Sequence, residues 1–289
     1  MVEREESAAA LRKTDIRSKV EDIGELPTLP GITRALNEIV AEPESSLRDI
    51  AELISKDLAL SAKFLKLVNA PFYGFPERIA SVQNAILLVG SNVVKATASN
   101  AAVYKAPGEP LVGLWEHSLG VALASRLLAV RLDVPDADEV MVAGLLHDIG
   151  KAVLCVLFRN EVEEIHRLAA ERNILILEAE RQVLGVDHAE VGGWSAECWS
   201  FPTVLKEPIS YHHEPRLSEK AGLKTGIVHF ADVLVHAVGF GGGGGDSLVP
   251  PLDEVAWNTL GLTVEDLREI SGQLDDELSS TATALYRSA

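Results

Sequence analysis

Apolar residues recur along this chain at three- and four-residue spacing, and period-two alternation is never sustained, so the pattern predicts an all-α fold. Ile32, Leu36, Ile39 and Val40 make a first stripe. Ser46-Leu47-Arg48-Asp49 reads as a capping box ahead of a helix that turns Ile50, Leu53 and Ile54 inward. Asp57 can cap the next helix, striped by Leu60, Phe64, Leu67 and Val68 and stopped at Asn69-Ala70-Pro71. An aromatic loop follows at 72–76, then a short helix from Ser81 to Val89, a break at Gly90 and a restart from Ser91 toward Tyr104. Further helices are predicted over Leu114–Leu132, Val162–Arg172, Ile176–Leu184, Ala189–Trp199, Thr203–Tyr211 and Ile227–Val238. Thr263-Val264-Glu265-Asp266 is a second capping box for a last helix with Leu267, Ile270 and Leu274 inward.

The stretch Val140–Phe158 departs from this amphipathic pattern. It is apolar on every side except for His147, Asp148 and Lys151. Its length would span a bilayer, but those three groups in hydrocarbon would be costly, so a buried core helix is expected. At about 100° per residue His147 and Asp148 can both face one site, and Lys151 returns to the same face three residues on. Ionisable groups are seldom buried unless they are paired or hold a metal.

Breaks in the pattern divide the chain into a charged tail at 1–18, frayed or helical, and an N-terminal helical bundle at 19–107. A metal-binding helical domain at 108–239, a Gly-rich loop at 240–250 and C-terminal helices at 251–289 follow. Ala106-Pro107-Gly108-Glu109-Pro110 marks the main boundary, and the six glycines around Phe240 read as a mobile loop by composition.

Composition narrows the function classes. A net charge of −17 with no basic patch argues against nucleic acid and anionic membrane as partners. Residues 246–289 carry nine Asp or Glu against two Arg, which reads as a solvated helix face. Two cysteines in apolar helical patterns, with no secretory signal, point to a cytoplasmic protein with reduced thiols.

Histidines supply the candidate partners of His147 and Asp148. His117, His188 and the pair His212-His213 lie in separate helical segments, and Asp232 sits inside a further apolar one with His229 and His236, which are less directly placed. Histidine and carboxylate without cysteine is a ligand set for a divalent transition metal, one or two ions: iron or manganese first, nickel, cobalt or zinc as alternatives. A shared Asp can bridge two of them. His166, beside Glu163, Glu164 and Arg167, is expected on an exposed charged face.

The order His117, His147-Asp148, His188, His212-His213, Asp232 resembles the HD superfamily of metal-dependent phosphohydrolases, and Leu146-His147-Asp148-Ile149-Gly150-Lys151 is also similar to the HD-GYP signature. The chain most resembles the HDOD family, the HD-related output domain of bacterial signalling. That resemblance is carried by Leu26-Pro27-Thr28-Leu29-Pro30, Asp57-Leu58-Ala59-Leu60, Asn69-Ala70-Pro71-Phe72-Tyr73-Gly74, Ala85-Ile86-Leu87-Leu88-Val89-Gly90, Leu114-Trp115-Glu116-His117-Ser118 and Tyr211-His212-His213-Glu214-Pro215. It implies an N-terminal helical bundle packed on an HD-type helical domain, with His117, His147, Asp148, His188, His212, His213 and Asp232 as metal ligands. After His213 stands Glu214-Pro215-Arg216-Leu217 in place of Gly-Tyr-Pro, so cyclic di-GMP hydrolysis is not implied.

Two functions follow as expectations. One is a signalling output module acting on partner proteins. The other is a phosphohydrolase taking a small phosphorylated ligand, with Asp148 and Lys151 in catalytic roles and Lys151 neutralising a phosphoryl oxygen.

Overall fold

A computed structural model describes residues 13–24, 26, 30–42, 45–71, 75–99, 109–241, 246 and 248–287; among these there is no strand. Helix α1 covers residues 13–21, running through the boundary placed at 18, and sends Ile16 and Val20 into the core. Pro27–Leu29, the tip of the aromatic loop at 72–74 and the stretch from Asn100 to Gly108, including Tyr104, lie outside the described residues.

The N-terminal bundle continues with α2 (Pro30–Ala41), α3 (Leu47–Ile54), α4 (Leu58–Val68) and α5 (Val82–Ser99). Ser46 caps α3 through the expected reciprocal pair with Asp49. Asp57 caps α4 with Oδ1, 2.7 Å from Leu60 N–H, and accepts Trp115 Nε1–H on Oδ2 at 2.8 Å. One buried carboxylate thus caps the start of α4 and ties it to Trp115, 58 residues on. Gly90, at φ +78°, interrupts α5 where the break was expected.

The second body comprises α6 (Glu109–Arg131), α7 (Ala137–Leu146), α8 (Ile149–Leu157), α9 (Arg159–Arg172), α10 (Ile176–Leu184), α11 (His188–Cys198), α12 (Thr203–Tyr211) and α13 (Gly222–Ala237). A single hydrophobic core runs from Ile16 through both bodies to Leu278. Helix α14 (Glu254–Leu260), which the pattern did not reveal, packs with α13, and α15 (Val264–Arg287) packs on α6. Ala137–Leu157 is long and apolar enough to cross a membrane, but 78% of its most apolar window is buried inside the protein.

Two expectations need correction. The apolar stretch around His147 is two helices, broken at His147-Asp148, where Asp148 takes φ −96° and ψ 16°. A run that is apolar on every face carries no periodic signal of such a kink. His166 is half-buried, lining a small cavity with Lys151, Cys155 and Glu180. It flanks the inward stripe of Val162, Ile165 and Ala169 and is covered on that side. Gly241, past Phe240, lies against the helix that carries His117. A Cβ on Gly241 (φ +72°) would meet His117 N at 2.3 Å, and one on Gly113 would meet Gly241 O at 2.6 Å, so the two backbones touch.

A buried histidine and aspartate cluster

Asp148 stands at the centre because the α7–α8 break turns its carboxylate inward, 1% exposed. Its two oxygens face different ways. Oδ2 lies 3.3 Å from His147 Nε2 and 3.8 Å from His117 Nε2, while Oδ1 lies 3.2 Å from His188 Nε2 and 3.6 Å from His212 Nε2. Asp232, on α13, places Oδ1 3.0 Å from His117 Nε2 and 3.7 Å from His147 Nε2. His213 Nε2 is 2.8 Å from His188 Nε2. All seven residues singled out in the sequence as metal ligands therefore meet in one cluster, contributed by α6, the α7–α8 break, α11, the end of α12 and α13.

The structure adds Glu180 and Asp246, which sequence reasoning missed. Glu180, 3% exposed, accepts both the backbone N–H (2.9 Å) and Nδ1–H (2.7 Å) of His188. Its signal was present, since Ile176, Glu180 and Leu184 lie at i, i+4 and i+8 on one buried stripe. His236 puts Nδ1 2.9 Å from Asp232 Oδ1, as its spacing from Asp232 allowed. His229 does not reach Asp232 in this way; it donates Nδ1–H to His212 O at 2.6 Å and accepts Asp253 N–H at 2.8 Å, fixing the turn that carries His212. Asp246, beyond the glycines, lies 3.2 Å from Lys151 Nζ, and Lys151 Nζ donates to Asp148 Oδ2 at 2.8 Å.

These residues fit a divalent metal by their hydrogen bonding. His147 donates Nδ1–H to Gly144 O, His188 to Glu180, and His212 to Ile209 O, so each turns Nε2 inward. His147 Nε2, His212 Nε2 and Asp148 Oδ1 are buried without a hydrogen-bond partner, an expense that a cation among them would remove. Among the described residues, ligand atoms within 4.8 Å of one another fall into three sets: His117, His147 and Asp148; His188, His212 and His213; and His117, Asp232 and His236. Asp148 touches both histidine groups, the arrangement of a carboxylate able to serve two ions.

Charge balance inside the cluster is uneven. Burial pushes His147 down, but Asp148 and Asp232 outweigh it and raise its pKa to about 9. His188, also opposed by burial, is raised to about 10 by Glu180 and Asp148. Burial wins at His117, which falls to about 4 despite Asp232. Burial alone would raise Asp148, yet His147, Lys151 and His188 hold it well below the usual carboxylate range. The raised histidines, charged in the folded metal-free chain at neutral pH, add stability that is complete below pH 6.5 and is lost as pH rises through about 9 to about 10. Metals take neutral imidazole, so metal uptake at pH 7.5 is expected to release about two protons. Calorimetry in buffers of different ionisation enthalpy measures this; no release would remove His147 and His188 from the ligand set.

The comparisons agree with this architecture. The model of the HDOD domain family matches residues 26–215. An uncharacterized protein of Treponema pallidum (strain Nichols) is 27% identical over 233 residues, 77% of this chain and 44% of that protein. The chain spans less than half the length of the curated relatives it matches. Among solved structures, the MmoQ response regulator of Methylococcus capsulatus str. Bath is 25% identical, with a TM-score of 0.68 over 85% of this chain and 97% of that one. An HDOD domain protein with unknown function from Geobacter sulfurreducens is 27% identical, with a TM-score of 0.56 over 97% and 99% of the two chains. The quoted motifs, the all-helical architecture and a family match across both helical bodies lead to one conclusion: the chain belongs to the HDOD family.

Proposed function

We propose that this protein is a cytoplasmic signal-transduction output module whose buried cluster holds one or two divalent transition metals, iron or manganese first, and which acts through contacts with signalling proteins. The carrying observation is the state of Lys151. Its ammonium lies between two carboxylates, 2.8 Å from Asp148 Oδ2 and 3.2 Å from Asp246 Oδ2, and its side chain is 8% exposed. Burial opposes the charge, but Asp148 and Asp246 hold its pKa above the ordinary lysine value. The cation that hydrolysis would need for a phosphoryl oxygen is thus neutralised from within. Likeness to the MmoQ response regulator supports a signalling role.

A second reading, a phosphohydrolase acting on a nucleotide or phosphodiester, is favoured by the way Asp148 divides its oxygens between His117 and His147 on one side and His188 and His212 on the other. His117, His147, Asp148, His188, His212, His213 and Asp232 would hold the ions, which would supply Lewis acidity toward a phosphoryl oxygen. In that case Asp148 would position the site and Lys151 would neutralise charge growing on the substrate, a contact worth roughly 10² to 10³ in rate.

Lys151→Ala separates the readings. For an output module, the metal-loaded protein turns over none of a panel of nucleotides, cyclic dinucleotides and a generic phosphodiester, and the variant loses about 3–5 kcal/mol of stability because Asp148 and Asp246 lose the ammonium they share. Turnover by the parent protein that disappears in a folded, metal-loaded Lys151→Ala variant would establish the hydrolase instead.

A further inference from the structure

Asp246 is held in a way that a loop carboxylate has no need to be. Its side chain is 5% exposed, and three elements converge on it. Lys151 Nζ, from α8, lies 3.2 Å from Oδ2. The backbone N–H of Ile176, first residue of α10, donates to Oδ1 at 3.1 Å. His236, from α13, brings Nε2 to 3.9 Å of Oδ2; that nitrogen is buried and has no hydrogen-bond partner. A helix N-terminus offers unpaired N–H groups and the positive end of its dipole to an anion, and an ammonium beside it adds a charge-assisted bond.

We infer that Lys151 Nζ, the Ile176 N–H and His236 Nε2 form an anion subsite beside the cluster, occupied here by the chain's own Asp246 carboxylate and suited to phosphate or a phosphate monoester in its place. A carboxylate presents two oxygens and one charge; phosphate presents more oxygens and up to two charges to the same groups. A tethered carboxylate competes at an effective concentration of about millimolar or above, so free phosphate must displace it and binds the intact protein more weakly than it would bind the vacated subsite. The inference rests on the metal reading only for what lies next to the phosphate, because the three groups named belong to the chain.

The test titrates inorganic phosphate into the full chain by calorimetry, before and after chelation, for the parent, Asp246→Ala, Asp246→Asn and the double variant Asp246→Ala with Lys151→Met. Asp246→Ala is expected to bind phosphate roughly tenfold or more tightly than the parent, keeping the gain after chelation. Asp246→Asn, near in size but uncharged, is expected to bind at an intermediate level and guards against a variant that fails to fold. The double variant should lose the gain. No gain in either single variant overturns the subsite, as does a gain that survives Lys151→Met or vanishes with the metal. Elemental analysis of the same samples tests the metal reading separately: metal-free parent protein would sink that reading while leaving a phosphate gain in Asp246→Ala to stand.

Discussion

Asp148→Ala is expected to strip the chain of metal and to lower its stability by about 3–5 kcal/mol, the cost of removing one partner from a buried charge network. Its carboxylate is 1% exposed and faces Lys151 Nζ at 2.8 Å, His188 Nε2 at 3.2 Å and His147 Nε2 at 3.3 Å. Without it, Lys151, His147 and His188 lose the carboxylate that favours their charged forms, and Asp232, Asp246 and Glu180 are the carboxylates still beside them. The loss of metal follows from the same geometry, since Asp148 is the group common to both histidine sets. His166→Ala is the comparison: it is half-buried in the cavity beside Lys151 but lies in none of the clustered ligand sets, and it should keep its metal. Elemental analysis and a denaturant midpoint measure both effects. Equal metal in the two variants would remove Asp148 from its central role.

Much of this site was legible because an ionisable group inside an apolar helix has few reasons to be there. His117, His147, Asp148, His188, His212, His213 and Asp232 could be gathered from that criterion together with the family motifs, and the structure brings all seven together. The helix ends at Ser46 and Asp57 and the Thr263–Asp266 box were equally readable, since capping is local chemistry between residues three apart. What the sequence hid has physical causes too. Asp246 follows a glycine run with no periodic context, so nothing local reports that its partners are Lys151, 95 residues back, and Ile176, 70 residues back. The break at His147-Asp148 is hidden because every residue from Val142 to Leu154 is buried and neither glycine nor proline stands at it. Helix α14 has only seven residues, too few for an apolar period to show, and is announced only by Asp253, whose carboxylate caps Val255 and Ala256.

Gly150→Ala is expected to be the most damaging of the glycine-to-alanine changes among the described residues. Gly150 lies two residues beyond Asp148, where α8 crosses α11 with the two backbones in contact. A Cβ there would fall 1.9 Å from His188 O and 2.8 Å from Gly192 N. Both are backbone atoms, so no rotamer change relieves the overlap and the helices must separate. Overpacking of this kind costs about 1–3 kcal/mol and occasionally more, and backbone against backbone belongs at the upper end. Function is drawn in because His188 is the first residue of α11: any shift of that helix moves Nε2 away from Asp148 Oδ1, now 3.2 Å off, and strains the Glu180 contacts that orient the ring. The variant should therefore lose metal affinity as well as stability. Gly272→Ala supplies the opposite case, being exposed in α15 with nothing within 4 Å of a new Cβ, and it should gain about 0.5–1 kcal/mol from helix propensity alone. Urea midpoints and metal titrations on the two variants decide the matter. Equal midpoints, or a Gly150→Ala protein that binds metal as the parent does, would show that α8 and α11 need not approach so closely to build the cluster.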